Sequence, residues 1–232
     1  MPSRTTDPRG RRPRMTRAER REQLLGHARS VFADHGYEGA SVEEIAARAE
    51  VSKPIVYEHF GGKEGLYGAV VDREMSLLSD GIRTALDPSV DDPDPAEQVV
   101  SDVESRVLLE RATLALLDYI ERRPDGFRLL SRGSGVGQAS GSFATILSEV
   151  GSQVTDLLAD AFAERRLDPQ IAPIYAQMLV GMVAMTGQWW LDERRPSKEQ
   201  VAAHLVNLAW NGLSGIERRP RLTEPERVLR RR

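Results

Sequence analysis

The sequence predicts an all-α protein, with an N-terminal three-helix unit containing a helix-turn-helix and a larger helical body behind it. Three observations carry that prediction. Apolar residues recur at three- and four-residue spacing through most of the 232 residues, the period of a helix with one buried face. Helix-start signals precede several of these runs, at Thr16/Glu19, Ser41/Glu44 and Ser197/Gln200. In each, the hydroxyl and the carboxylate or amide satisfy backbone N–H groups that the first turn leaves without partners. No segment alternates apolar and polar residues with the period of a strand, and no internal repeat is present.

The elements follow in order. Thr16 opens a helix in which Leu24, Leu25, Ala28, Val31 and Phe32 share a face, and Gly36 ends it. Ser41 opens a second helix with Val42, Ile45, Ala46 and Ala49 on one side. Glu50 and Val51 form a turn, and Ser52 caps a short helix over Lys53–Phe60. Pro54 suits its first turn, where the missing N–H has no intrahelical partner anyway. Ile55 or Val56, with Phe60, is expected to pack back on the preceding helix, leaving Ser52, Lys53, Pro54, Tyr57, Glu58 and His59 exposed. Gly61-Gly62 stops the helix. A long helix then runs from Lys63 to about Leu86, with Leu66, Val70, Leu77, Leu78 and Ile82 inward.

Asp87–Pro95 is acidic and proline-rich, hence a loop. The helix after it reaches about Arg122, with Val99, Val103, Val107, Leu114, Leu117 and Ile120 inward. Pro124-Asp125-Gly126 breaks it, and Phe127–Ser131 is a short helical piece. Phe143–Phe162 is the most regular amphipathic stretch, and Asp168-Pro169 and Pro173 punctuate the start of the next. Ser197 caps a last helix in which Val201, Leu205, Leu208, Ala209, Leu213 and Ile216 recur.

Ser41–Lys63 therefore reads as a helix-turn-helix. The second helix of such a pair enters the DNA major groove, N-terminal residues nearest the base edges. Lys53 suits guanine or phosphate, and Tyr57 and His59 suit backbone oxygens. Pro54 and Ile55 offer apolar contact to thymine methyls. Ser41 and Ser52 mark helix N-termini whose free N–H groups suit phosphate, and Lys63 stands at the head of the next helix.

Charge distribution agrees. The chain carries 32 basic and 35 acidic side chains, a net −3, which by itself does not point to nucleic acid. Residues 1–63 hold 12 basic and 9 acidic groups, however, and the rest 20 and 26. A basic end on an acidic body fits a DNA-binding unit joined to a regulatory one. Residues 1–15 read as a disordered basic arm and 217–232 as a basic disordered tail.

Other chemistry finds little support. There is no cysteine, hence no disulfide, thiolate metal site or thiol nucleophile. His27, His35, His59 and His204 lack metal-ligand spacing, and no G-x-S-x-G elbow occurs. No catalytic residue, metal or cofactor is expected. The glycines of Gly133–Gly141 lack the strand and the G-K-[ST] ending of a phosphate loop and read as a connection. Ile171–Leu191 contains no charged side chain, but Pro173, Gln177, Thr186 and Gln188 favour a helix buried on both sides over a membrane span. The charged N-terminus lacks a signal-peptide apolar region, so the expected location is cytoplasmic, without membrane association.

The Val51, Ser52, Tyr57, Phe60, Lys63 and Leu66 pattern, with Ala28, Phe32, Gly36, Tyr37 and the run G-A-S-V-E-E-I-A upstream, resembles the TetR family of bacterial regulators. The resemblance covers roughly Arg17–Val71. It implies a DNA-binding domain over 16–63 and a helical ligand-binding and dimerisation domain over 64–216. In that arrangement the last two long helices pack against their copies in a homodimer, with Gly181, Ala184, Val201, Leu205, Leu208 and Ala209 as interface residues. The middle helices enclose an apolar pocket, for which Tyr119, Phe127, Leu130, Phe143, Leu147, Met178, Met182, Met185, Gln188 and Trp189 are the candidates.

Segments such as DGFRLL, LVGM, WWLDERRP and LAWNGL look like those of actinobacterial TetR regulators of lipid metabolism. That branch includes sensors of long-chain acyl-CoA, so the implied effector is a small lipophilic ligand such as a fatty acyl-CoA. The implied function is a repressor that binds a near-palindromic double-stranded operator as a dimer and is modulated by that ligand through the Lys63–Leu86 helix. The reading from a different class is a helical lipid-binding or scaffold protein that retains a vestigial DNA-binding unit.

Overall fold

The computed structural model describes residues 15–87, 102–132 and 143–221. The basic arm before Met15, the proline-rich loop beyond Asp87, the inward position expected at Val99, the glycine-rich 133–141 stretch and the tail beyond Arg221 lie outside the described residues, as does the side chain of Val103. Among those described, the chain forms nine α-helices and no strand. It divides into two compact units, with the boundary between Val71 and Asp72.

The first unit holds α1 (Arg17–Gly39), α2 (Val42–Arg48), α3 (Lys53–Phe60) and the opening turns of α4 (Lys63–Leu86). Both halves of the Thr16 capping box form: the hydroxyl accepts from the Glu19 N–H at 3.2 Å, and the Glu19 carboxylate accepts from the Thr16 N–H at 2.7 Å. Gly36 (φ 69°, ψ 179°) kinks α1 rather than ending it, and one further turn continues to Gly39. Ser41 supplies only half of its expected box. Its hydroxyl accepts from the Glu44 N–H at 3.1 Å, while the Glu44 carboxylate accepts from Arg48 at 2.8 Å.

Leu24, Ala28, Val31, Phe32, Ile45, Ala46, Val56, Leu66 and Val70 form the core of this unit, each large aliphatic side chain adding roughly 1.5–3 kcal/mol on full burial. Tyr67 is buried too, edge-on to Phe32 and Tyr37 at 5.0 Å from each ring. That packing explains why the unit extends to Val71 instead of stopping at the expected 63: the first two turns of α4 complete its core.

The second unit holds the rest of α4, then α5 (Asp102–Arg122), α6 (Pro124–Arg132), α7 (Phe143–Glu164), a 3-10 turn (Pro169–Ile171), α8 (Ala172–Glu193) and α9 (Lys198–Ser214). α7 lies along α8, and α5 packs on both α8 and α9. Pro124 begins α6 where the sequence suggested a break, because a first-turn proline loses no hydrogen bond. Two expected inward residues are instead exposed, Leu77 and Val107; Leu78, also expected inward, is buried, and Leu108 is buried in place of Val107. Adjacent aliphatic residues satisfy the same 3/4 period, so periodicity alone leaves the choice open. Leu114 is half-buried.

Glu74 and Thr113 are the buried polar residues of the described core. Thr113 donates to the Leu109 carbonyl at 2.8 Å. The Glu74 carboxylate accepts from Arg123 Nε at 2.7 Å, from Arg123 Nη2, and from the Tyr119 hydroxyl at 2.8 Å. A Cβ on Gly126 would lie 2.2 Å from Glu74 Oε2, so only glycine permits this approach of α4 to the start of α6. Among the described residues, no helix is long and apolar enough to cross a membrane.

Candidate nucleic-acid interface and apolar cavity

The turn between α2 and α3 is built by Glu50 in a left-handed conformation (φ 54°), with the Val51 N–H donating to the Ala46 carbonyl at 2.9 Å. Val56 is buried against the unit core while Ser52, Lys53, Pro54, Tyr57 and Glu58 remain exposed. Ile55 and His59 are half-buried. Gly61 adopts φ 75° and stops α3, its N–H donating to the Tyr57 carbonyl at 2.8 Å. A left-handed residue at this position is the common glycine end of a helix.

Apart from the half-buried Ile55 and His59, the expected DNA-contacting residues fall into two sets. Ser52, Lys53, Pro54 and Tyr57 share the open face of α3. Ser52 stands at the N-cap but makes no side-chain capping bond. Lys53 is ion-paired to Glu43 in the first turn of α2, and its ammonium lies 5.8 Å from the Tyr57 ring centre. That pairing raises the Lys53 pKa and lowers that of Glu43. The second set is engaged inside the unit. The Ser41 hydroxyl is occupied as a cap. Lys63 donates to the Glu38 carbonyl at 3.2 Å and stacks over Tyr37 at 4.5 Å.

Arg21, counted with the basic N-terminus in the sequence, donates to the His59 carbonyl at 3.1 Å and covers the Phe60 ring at 4.4 Å. It therefore fixes the C-terminal end of α3, where cations also complement the helix dipole. Sequence reasoning missed both this role and the Glu43–Lys53 pair, because neither partner is a near neighbour along a helix. The sequence signal available for each was only a charged residue on a predicted helix.

Within the second unit, α4, α5, α7, α8 and α9 surround a cavity of about 190 Å³. Its wall is overwhelmingly aliphatic, including Leu78, Leu108, Leu116, Ile146, Leu157 and Val183. Polar groups reach it at Ser105, Thr113 and, near the C-terminal end of α7, Asp160, Glu164 and Arg165. Of the ten pocket candidates, Phe143 and Leu147 line this cavity. Tyr119, Phe127 and Leu130 are buried: Tyr119 serves Glu74, and Phe127 meets Phe143 edge-on at 5.4 Å.

The remaining five candidates stand on α8 outside the wall. α8 reaches the cavity through Leu179, Val180, Val183 and Ala184. Gln188 and Met182 are half-buried, and Met178, Met185 and Trp189 are 61%, 65% and 50% exposed. With Ile174 at 56% they form one apolar stripe along α8. Of the residues expected at a dimer interface, Leu208 is 66% exposed, and Val201, Leu205 and Ala209 are buried within the unit. Gly181 lies on the α8 stripe with open space around it, whereas Ala184 lines the cavity.

Residues 24–70 match the family of bacterial regulatory proteins of the tetR type, and residues 96–223 match the tetracyclin repressor-like C-terminal domain. Among curated proteins, the HTH-type transcriptional activator FasR of Mycolicibacterium smegmatis is 34% identical over 205 residues, covering 88% of this chain and 87% of its own. A TetR-like transcriptional regulator from Rhodococcus sp. RHA1 superposes with a TM-score of 0.70 at 27% identity, covering 88% of this chain and 100% of its own. The fatty acid degradation regulator FadR of Bacillus halodurans shares the fold at 18% identity, with a TM-score of 0.61 over 82% of this chain and 98% of its own.

Proposed function

Since the chain belongs to the TetR family of DNA-binding transcriptional regulators, we propose that it binds a near-palindromic operator as a homodimer and that a lipophilic small molecule in the second-unit cavity controls that binding. The aliphatic cavity carries the ligand half of this reading. An apolar space of about 190 Å³ with polar groups at Ser105, Thr113 and the end of α7 has the composition of a small-molecule site. A filled core would leave no such space. The wall suits an alkyl chain, in keeping with a fatty acyl effector.

The open face of α3 supports DNA contact through Ser52, Lys53, Pro54 and Tyr57. The stripe of Ile174, Met178, Met185 and Trp189, with Leu208 on α9, supports a second copy as the covering surface, since exposed apolar patches of this kind mark association sites. Gly181 within that stripe permits close helix approach. α4 carries residues of both units, so a ligand that favours one setting of α4 shifts the DNA-binding population by its differential affinity.

For the direction of control, one relative matched along most of its length, FasR of Mycolicibacterium smegmatis, is an activator. The repressors of Corynebacterium glutamicum and Mycobacterium match over 26% and 32% of this chain. Activation is therefore favoured over the repression expected from sequence.

The test pairs thermal shift with operator release, using acyl-CoAs of graded length and DNA selected by the protein from a random pool. Each methylene buried in the cavity contributes about 0.8 kcal/mol, so affinity should rise about fourfold per added carbon until the space is filled. Indifference to every chain length would remove the fatty acyl effector, and monomeric behaviour on DNA would remove the dimer.

A further inference from the structure

The Lys53 side chain, expected to reach DNA from the first turn of α3, is already occupied. Glu43, the second residue of α2, holds its ammonium in an ion pair, and the Tyr57 ring centre lies 5.8 Å from it. Both charged side chains are solvent-accessible, 48% exposed for Lys53 and 63% for Glu43, so the pair is open to competition from an arriving phosphate or base. It bridges the two helices of the helix-turn-helix at the face that meets DNA.

Non-specific DNA binding is supplied almost wholly by cation–phosphate contacts and the counterions they release. A lysine held by a carboxylate releases no counterion until the carboxylate lets go. On a random duplex, exchanging carboxylate for phosphate brings Lys53 little net gain, and Glu43 remains as a negative charge beside the backbone. On an operator, the complete set of α3 contacts orients the helix and supplies Lys53 with a well-placed acceptor.

We propose that Glu43 is a specificity-determining residue, withholding Lys53 from DNA that does not match and yielding it to the operator. This proposal rests on the reading that Lys53 reaches DNA. The direction of effect is that the carboxylate weakens binding to random duplex more than binding to operator. The size follows from the pair's exposure: solvent-exposed ion pairs are worth about a 1.4- to fivefold change in an equilibrium constant.

The experiment measures fluorescence anisotropy of full-length protein on a labelled random-sequence duplex and on a duplex selected from a random pool by the wild-type protein, each across a NaCl series. Glu43→Gln keeps the side-chain shape. It should tighten random-duplex binding by about 1.4- to fivefold and steepen its log–log salt slope by about 0.9, the value for one added phosphate contact, while changing the selected duplex less. Lys53→Gln should weaken both. In the Lys53→Gln background, Glu43→Gln should keep no more than the general charge effect, which Glu58→Gln, removing an exposed acid of α3, reports equally in both backgrounds.

If Glu43→Gln leaves random-duplex affinity unchanged while Lys53→Gln is impaired, the proposal alone is overturned. An equal gain with and without Lys53 also overturns it, because the effect is then one of general charge. If Lys53→Gln binds both duplexes like wild type, the contact assigned to Lys53 fails and the proposal falls with it. Melting temperatures of all variants distinguish weakened binding from lost folding.

Discussion

Removing Arg123 should be among the most destabilising single changes in the second unit, although it alters a partly exposed residue in the unit that holds no expected DNA contact. In Arg123→Met the alkyl stem is kept and the guanidinium is lost. Glu74, whose side chain is 2% exposed, then keeps the Tyr119 hydroxyl at 2.8 Å but loses its cation. Breaking a buried ion pair from one side costs about 3–5 kcal/mol, because the remaining charge cannot be rehydrated. Arg123 is itself 26% exposed, so part of the original attraction is screened and the lower end, about 3 kcal/mol, applies. For a chain of this size that corresponds to a fall of about 6–12 °C in Tm.

The assay is thermal unfolding followed by far-UV circular dichroism at fixed protein concentration, since any dimerisation makes Tm concentration-dependent. Arg122→Met, next in sequence but 75% exposed and facing Asp118 at 3.9 Å, is the control and should move Tm by little. Adding Glu74→Gln to Arg123→Met should restore most of the loss, because a neutral amide no longer requires a cation. A single variant that melts with wild type, or a double variant that melts lower still, would refute the assignment of Glu74 as a carboxylate dependent on Arg123.

Four further outcomes follow. Gly126→Ala should destabilise the same corner by about 1–3 kcal/mol, the cost of overpacking, because its Cβ would lie 2.2 Å from Glu74 Oε2 and 2.8 Å from the Tyr119 oxygen; chemical denaturation reads this directly. Glu50→Gly should stabilise the first unit by up to about 1 kcal/mol, since the left-handed conformation costs an ordinary residue about 1–2 kcal/mol and glycine gives part of that back in unfolded-state entropy; an unchanged or lowered Tm would contradict it. Val183→Trp should fill the cavity, abolishing the thermal shift given by acyl-CoAs without weakening operator binding, as calorimetry and anisotropy would show. The Glu43–Lys53 pair should be indifferent to pH near neutrality. Glu43 titrates below its ordinary 4.5 and Lys53 above its ordinary 10.5, each through the other's hydrogen bond. The carboxylate's contribution is thus present above 4.5 and fades as pH falls through the lowered value, and the lysine's is lost only above 10.5. The random-duplex gain of Glu43→Gln should accordingly be the same at pH 6 and pH 8.

The helices of the first unit were legible because each level of signal agreed. Thr16, Ser41 and Ser52 lie at the N-caps expected of them, and Val56 rather than Ile55 is the buried member of the pair left open. Where adjacent aliphatic residues compete, as at Leu77/Leu78 and Val107/Leu108, a shift of one residue turns the helix by about 100° and the pattern cannot distinguish them. Side-chain pairing was less legible. Glu74 meets Arg123 across 49 residues, and nothing in the local sequence of either marks the other. The methionines of α8 misled for a different reason. They do recur at helical spacing, but spacing identifies a face without saying which neighbour the face meets. Met178 and Met185 lie on the exposed stripe, and the cavity side is supplied by Leu179, Val180 and Val183, one or two positions away.

That division of α8 bears on how control could operate. Apolar residues all round a helix require two apolar environments, and α8 has one in its own unit and one exposed stripe for which we propose a second copy. A ligand chain in the cavity would meet Leu179 and Val183, which are neighbours along the helix of Met178 and Met182 on or beside the stripe. Helices move as packed bodies rather than bending locally, because the interior is close-packed. A shift of α8 driven by ligand would therefore be felt on the stripe, while Leu78 and Ile82, which line the same cavity, would carry the response into α4. Substitutions should separate the two routes. Met185→Glu, on the stripe alone, should weaken dimerisation and hence operator binding with ligand affinity intact. Ile82→Val, on the cavity wall in α4, should leave the dimer intact and reduce the change in operator affinity that ligand produces. If Met185→Glu altered ligand affinity as strongly as Ile82→Val, the two faces of α8 would not be separable and this division would fail.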